Sequence, residues 1–231
     1  MSSLRIWLRI LGGLAVLCVL LAGMAWYTLG RDDPRYLKVV SIERRADFRD
    51  PALMRTAWAL PVAARYTAIP YEYQDNPSYC GPASAADVLH SMGRRIDQHA
   101  VIDGTPFEPA LGILLGGLTL DQEAQLLRQR TGRPVTTLRP ATLADFRAAV
   151  ARANDPAVRE IVNFHRGPLF ARGHGHFSPV LGYLADRDLV FVGDVNRAYR
   201  PYLVPTERLW RAASTIDGAT GKPRGLLIVG L

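Results

Sequence analysis

Gln74-Asp75-Asn76-Pro77-Ser78-Tyr79-Cys80-Gly81-Pro82-Ala83-Ser84 is the stretch on which the reading of this 231-residue chain turns. Pro82 falls in the first turn of a helix, where its missing N–H is no loss. Ala85, Val88, Leu89 and Met92 then recur at i, i+3, i+4 and i+7, and Gly93 marks the end. Cys80 therefore opens a helix. A thiol there faces unpaired N–H groups and the positive end of the helix dipole, and both favour thiolate. A lone cysteine is more commonly a small buried hydrophobe, so its partners must decide.

Upstream of this stretch the chain changes character. Ile10 to Leu29 is twenty residues without a charge, long enough at ~1.5 Å per residue to span ~30 Å of hydrocarbon. Arg5 and Arg9 precede the run, and Trp26 and Tyr27 close it like an interfacial belt. The expectation is one transmembrane helix or signal anchor within residues 1–30, seated in a lipid bilayer through residues 10–29. Gly23-Met24-Ala25 leaves a cleaved signal peptide as the alternative. Arg31, Arg35 and Lys38 balance Arg5 and Arg9, so the charge count does not set the orientation. The short N-terminal tail favours export of the large C-terminal part. Residues 31–65, interrupted by Pro34, Pro51 and Pro61, read as a juxtamembrane segment, and 66–231 as the catalytic domain.

Composition excludes several classes. Two cysteines, Cys18 and Cys80, cannot make a disulfide scaffold or an all-cysteine zinc site. Hydrophobic residues at 48% and charged residues at 21% exclude long-range disorder. Of the formal +7, residues 31–231 carry +5, spread without basic runs or interleaved aromatics, and nucleic-acid binding is not expected.

Downstream, Thr119 with Gln122 forms a capping box for a second helix that closes at Gly132. Thr142 and Asp145 start a third, running to about Asn154. Beyond residue 158 the period changes. Glu160–Phe164, His176–Tyr183, Asp188–Gly193 and Gly225–Val229 are short apolar runs of β-prone composition, with one helix near Pro205–Ser214 between them. Helices first and strands second predict an α+β fold with a cleft between two segregated halves.

His176 opens one predicted strand, in Gly173-His174-Gly175-His176-Phe177-Ser178-Pro179, and Asp194 ends the next. Adjacent strands can set an aspartate beside an imidazole, as a base and its orienting partner require. Taken singly, each is more often a turn or core residue. A metal site is the weaker alternative: His174 and His176 lie at i and i+2 on a strand, with His165 as a third group.

Taken together, six segments resemble the catalytic domain of the phytochelatin synthases, papain-like cysteine transferases. They are Gln74 with Tyr79-Cys80-Gly81-Pro82-Ala83-Ser84, Gly117-Leu118-Thr119-Leu120-Asp121-Gln122, His165-Arg166-Gly167, Gly175-His176-Phe177-Ser178-Pro179, Asp194-Val195-Asn196-Arg197 and Gly221-Lys222-Pro223-Arg224-Gly225. They stand in the family's order and spacing over about residues 66–230. The resemblance implies a papain-like fold, with a helical N-terminal half and an antiparallel-sheet C-terminal half. It implies Cys80 as nucleophile, His176 as general acid/base, Asp194 as its orienting partner and Gln74 as oxyanion-hole donor. Substrate contacts are implied at Tyr79, Asn163, Arg166, Gly175, Phe177, Arg197 and Arg224.

The implied activity is cleavage of the Cys–Gly amide of glutathione through a γ-glutamylcysteinyl thioester on Cys80, with hydrolysis or transfer to a second glutathione completing it. No tightly bound cofactor or resident metal is expected, with cadmium or zinc entering as activators or as thiolate complexes. The partners expected are glutathione and the bilayer, with a homodimer left open. The implied location is a bacterial inner membrane with a periplasmic domain. The family's cysteine-rich C-terminal half has no counterpart before Leu231, which is like the short bacterial members in which hydrolysis is prominent. Two readings compete: a papain-like peptidase or amidase on another peptide, and a membrane-tethered thiol- or metal-binding module built on Cys80, His174 and His176.

Overall fold

The computed structural model describes the backbone of residues 2–29, 33–109, 114 and 116–231, and the side chains of 7–23, 33–109, 114 and 116–231. In chain order the elements are α1 (Ser2–Leu29), α2 (Pro51–Trp58), α3 (Cys80–Ser91), α4 (Gln98–Ile102), α5 (Leu120–Thr131), β1 (Val135–Leu138), α6 (Leu143–Val150), β2 (Val158–His165), α7 (Gly167–Phe170), β3 (Gly175–Leu184), β4 (Leu189–Val192), β5 (Tyr202–Pro205), α8 (Thr206–Ala213) and β6 (Gly225–Gly230).

The six strands make one sheet in the order β1-β6-β2-β3-β4-β5, and every neighbouring pair is antiparallel. Helix α3 lies across β3, and α5 against β1 and β6. On that side Ala85, Val88, Leu89, Leu126 and Leu127 pack with Ile161, Phe177 and Leu227. The opposite face carries α6 and α8 over Val162, Phe164, Val180 and Val192. The expected mix of helices and an antiparallel sheet is what the chain forms. Helices α6, α7 and α8 nevertheless alternate with the strands, and α6 and α8 cover the second face, so helices and strands are not segregated into two halves. Helical signals act where they were read. Thr119 accepts the Gln122 N–H while Gln122 accepts the Thr119 N–H at 2.8 Å, and Gly132 ends α5 at φ 69°.

Two strands were illegible. β1 (Val-Thr-Thr-Leu) shows little hydrophobic contrast, and its pairing with β6 lies about ninety residues away. β5 ends on Pro205 at the sheet edge, where a missing N–H is tolerated.

Residues 33–65, read as a juxtamembrane segment, pack into the domain. Ile42 and Phe48 join the core beside Phe170 and Tyr202, and Ala57, Val62 and Ala63 join a cluster with Leu181 and Phe191. A boundary at residue 66 has no counterpart in this packing.

The membrane expectation for residues 10–29 gains no support. Among the described residues no helix is long and apolar enough to cross a membrane. The side chains of Trp26, Tyr27, Arg5 and Arg31, invoked as flanking signals, lie outside the described residues.

Candidate active site

Cys80 is the first residue of α3, and only 6% of it is exposed. Burial pushes its thiol up to about 11. The backbone amides of Phe177 and Gly81 and the charge of Arg166 pull the other way, and Glu123 adds to the rise. The local sequence suggested a thiolate at the helix N-terminus, and burial moves the thiol the opposite way. Gly81 is required by a close approach: a Cβ there would stand 2.6 Å from a carboxylate oxygen of Glu123.

His176 lies in β3, next to the Phe177 amide that faces the thiol, and is 4% exposed. Its Nε2 meets Asp194 Oδ1 at 3.1 Å, which leaves Nδ1 as the nitrogen open to a thiol. Burial lowers its pKa to about 4, with the Arg166 charge adding to the fall and Asp194 opposing it. The imidazole and the thiol are thus both neutral at rest.

Asp194 follows β4 and is wholly buried. Its Oδ1 accepts from Arg166 Nη2 at 2.7 Å and from the Asn196 N–H at 2.8 Å, besides facing His176. Burial works against its charge. Arg166, His176 and the Asn196 amide outweigh that and hold the carboxyl down to about 2. The turn carrying it is fixed by Tyr71, whose hydroxyl donates to the Gly193 carbonyl, and by the Gln74 N–H, which donates to Val195 O at 2.8 Å.

Gln74 donates one side-chain N–H to Asn76 O at 2.8 Å, leaving the second for a reacting carbonyl. It lines a cavity of about 400 Å³ with His174, His176, Asn196, Arg197 and Tyr199. Arg197 is exposed there, its guanidinium 4.7 Å over the Tyr73 ring. On the other flank of His176, Arg224 covers Gly175 and donates to Asn163 Oδ1 at 3.1 Å. Asn163 itself is buried opposite Phe177 and donates to the His176 carbonyl at 3.4 Å. Tyr79 is buried against His99, with ring centroids 5.0 Å apart. Phe177 packs into the α3 core.

Arg166, grouped by sequence with the substrate contacts, is buried behind the imidazole in an ion pair with Asp194, its guanidinium 3.9 Å over Tyr199. Nothing in the string His165-Arg166-Gly167 signals that inward turn. His174 precedes β3 and is exposed, while His176 faces inward, so the two do not share a strand face. Among the described residues, no group of three or more His, Cys, Asp or Glu side chains could hold a metal ion. Sequence reasoning also passed over Glu123, a helical carboxylate with no visible link to Cys80 until α5 packs on α3.

The phytochelatin synthase family model matches residues 49–226. Glutathione gamma-glutamylcysteinyltransferase 3 of Lotus japonicus is 38% identical over 173 residues, covering 69% of this chain and 36% of that protein. Glutathione gamma-glutamylcysteinyltransferase 1 of Arabidopsis thaliana is 32% identical over 176 residues, covering 69% and 35%. The chain thus spans about a third of the length of these curated relatives. Among solved structures, a putative C39-like peptidase from Bacillus anthracis aligns with a TM-score of 0.48 at 13% identity, over 71% of this chain and 94% of that one. The peptidase domain of Streptococcus ComA aligns at 0.43 and 19%, over 69% and 96%.

Proposed function

The chain belongs to the phytochelatin synthase family, and from that we propose that it cleaves the Cys–Gly amide of glutathione by papain-like covalent catalysis. The observation that carries the reading is a buried His176 whose Nε2 is held by Asp194, next in β3 to the Phe177 amide that faces the helix-opening Cys80.

Cys80 gives its proton to His176 Nδ1 as the sulfur attacks the amide carbon. Because both groups start neutral, the charge pair forms only as the bond forms, and Asp194 then stabilises the imidazolium. The Cys80 N–H and the free amide hydrogen of Gln74 are the donors for the oxyanion, each such donor being worth about 2.7–4 kcal/mol. His176 passes its proton to the departing glycine nitrogen, leaving a γ-glutamylcysteinyl thioester. Water releases γ-glutamylcysteine; a second glutathione amine would instead yield a phytochelatin. Arg224 with Asn163 supplies a cation for the donor's α-carboxylate, and Arg197 one for the carboxylate of the glycine. Cadmium or zinc enters this proposal only as the thiolate complex of a glutathione acceptor.

Attachment to a lipid surface is part of the same proposal. Its support is that the apolar side chains of α1, among them Leu11, Leu14, Val16 and Leu17, are exposed on every face. Co-flotation of the full chain with lipid vesicles tests it, and recovery in the lipid-free fraction counts against it. The enzymatic reading is tested by mass spectrometry of the full chain incubated with glutathione. Release of glycine and a γ-glutamylcysteinyl adduct on Cys80 are expected. An enzyme that leaves glutathione intact overturns it.

A further inference from the structure

Tyr36 lies outside the residues matched to the family, and its ring rests against Gly167 and His165. It belongs to a strap, residues 33–48, that is firmly held. Asp33 accepts the Arg35 N–H at 2.9 Å and so caps the 3-10 turn Pro34–Tyr36. Arg208 donates to Val40 O at 3.0 Å and to Pro168 O at 2.7 Å, tying the strap to α8 and α7. Farther on, Phe48 stacks on Tyr202 and its carbonyl accepts the Leu203 N–H at 3.0 Å.

The strap lays the Tyr36 ring on Gly167, where ring carbons already occupy the place a Cβ would take. The same ring lies 5.1 Å from the His165 ring. His165 pairs in register with Gly175 across β2 and β3. Gly175 in turn lies under the Arg224 guanidinium, 2.6 Å from where its own Cβ would be. Ring, imidazole, glycine and guanidinium are thus successive neighbours. Arg224 pairs with Asp217 at 3.6 Å, and burial lowers its pKa while the charges of Asp217, Cys80 and Tyr36 oppose that fall. His165 is fixed as a neutral ring, since its Nδ1 accepts the Gly167 N–H at 3.0 Å.

We infer that Tyr36 is the end wall of the donor subsite, stopping the cleft beyond Arg224 so that the acyl group delivered to Cys80 is an unextended γ-glutamylcysteinyl unit. The inference rests on the reading of the protein as a glutathione-cleaving enzyme, and it adds which donors are refused. A donor held at Arg224 by its α-carboxylate carries its α-amino group on the same carbon. Any acyl extension of that amine projects past the guanidinium into the volume the ring fills. Displacing a ring packed between Gly167 and His165 forfeits both contacts, so refusal of the longer donor is built from a clash rather than from an added attraction.

The test compares kcat/KM for glycine release by the full chain from three donors: glutathione, N-acetylglutathione and the extended peptide γ-Glu-Cys-γ-Glu-Cys-Gly. Wild type is expected to favour glutathione. Tyr36→Ala is expected to raise the extended-to-glutathione ratio about tenfold, the scale on which pocket walls discriminate. Tyr36→Phe keeps the ring and is expected to keep the wild-type ratio. If the alanine variant loses its fold, Tyr36→Leu, which still plugs Gly167 but lacks the outer ring, reports the same ratio. A Tyr36→Ala or Tyr36→Leu variant that cleaves glutathione with the wild-type ratio overturns the wall. Wild-type protein that releases no glycine from glutathione overturns the functional reading instead.

Discussion

His176 presents Nε2 to Asp194 at 3.1 Å, so the nitrogen left for Cys80 is Nδ1. The imidazole sits inside the protein with its partner fixed, and the Cys80 thiol is buried as well. Burial raises the thiol to about 11 and lowers the imidazole to about 4. Between those values the pair is Cys–SH and neutral His rather than an ion pair.

The pH dependence of alkylation is set by this neutral pair. In a Cys18→Ser background, the rate of Cys80 modification by iodoacetamide is expected to climb through the alkaline range with no plateau between pH 4 and 8. A plateau near pH 6 would mark a resting thiolate–imidazolium pair and contradict the neutral state. The same groups bear on stability. Unfolded chain ionises its thiol from about pH 9 while the native thiol holds its proton to about 11, so stability falls as pH rises through that window.

Arg166 gives a second expectation. It is the buried counter-charge of Asp194, and it also depresses His176. Arg166→Met should destabilise the fold by about 3–5 kcal/mol, because a buried carboxylate loses its partner. The acidic limb of the kcat/KM profile should move to higher pH as His176 regains basicity. Arg166→Lys, which restores charge without the planar fork over Tyr199, should return that limb toward the wild-type position. An acidic limb that stays in place in Arg166→Met would show that Arg166 does not act on the imidazole.

The contrast between Cys80 and Arg166 shows what a sequence of this kind carries. Cys80 was legible because a helix start is a local event, written in Pro82 and the spacing from Ala85 to Met92. His176 and Asp194 were legible because they end adjacent strands whose β-prone runs stand in order. The ion pair of Arg166 with Asp194 was not legible because the direction of its side chain is decided by the loop between β2 and β3 folding back on Tyr199, thirty-three residues away. β1 and the strap failed for the same reason: β1 is specified by β6, and Tyr36 by Gly167 and His165. Such contacts are absent from any window of neighbouring residues.

Glu160 carries an expectation independent of catalysis. It lies in β2 between Val180 and Ile228, wholly buried, with neither carboxyl oxygen hydrogen-bonded. Burial raises its pKa from 4.5 to about 8. Below pH 4.5 both folded and unfolded chains hold the proton, and nothing is lost. From there to about 8 the unfolded chain ionises while the native chain does not, so stability is lost as pH rises, on the order of 5 kcal/mol in all. Glu160→Gln mimics the protonated acid. Thermal melts should show little change at pH 4 and a higher Tm at pH 8.5; an unchanged Tm at pH 8.5 rules the buried acid out as a stability determinant.

The last expectation concerns which product wins. The leaving glycine and any acceptor share the cavity of about 400 Å³ beside Gln74 and His176. Of its two arginines, Arg166 is committed to Asp194, which leaves Arg197 as the arginine available to a carboxylate. Water at ~55 M needs no ordering. A flexible tripeptide must instead immobilise its side chains at about 0.5–1.5 kcal/mol apiece before its amine can attack. With one exposed arginine to hold that acceptor, hydrolysis should dominate at low-millimolar glutathione, cadmium present or absent. Arg197→Ala should lower phytochelatin formation several-fold more than γ-glutamylcysteine formation, because water does not use the guanidinium. Both products followed over time by mass spectrometry decide it: phytochelatin dominant from the first turnover overturns the hydrolytic bias, and equal losses of both products in Arg197→Ala show that the guanidinium does not hold the acceptor.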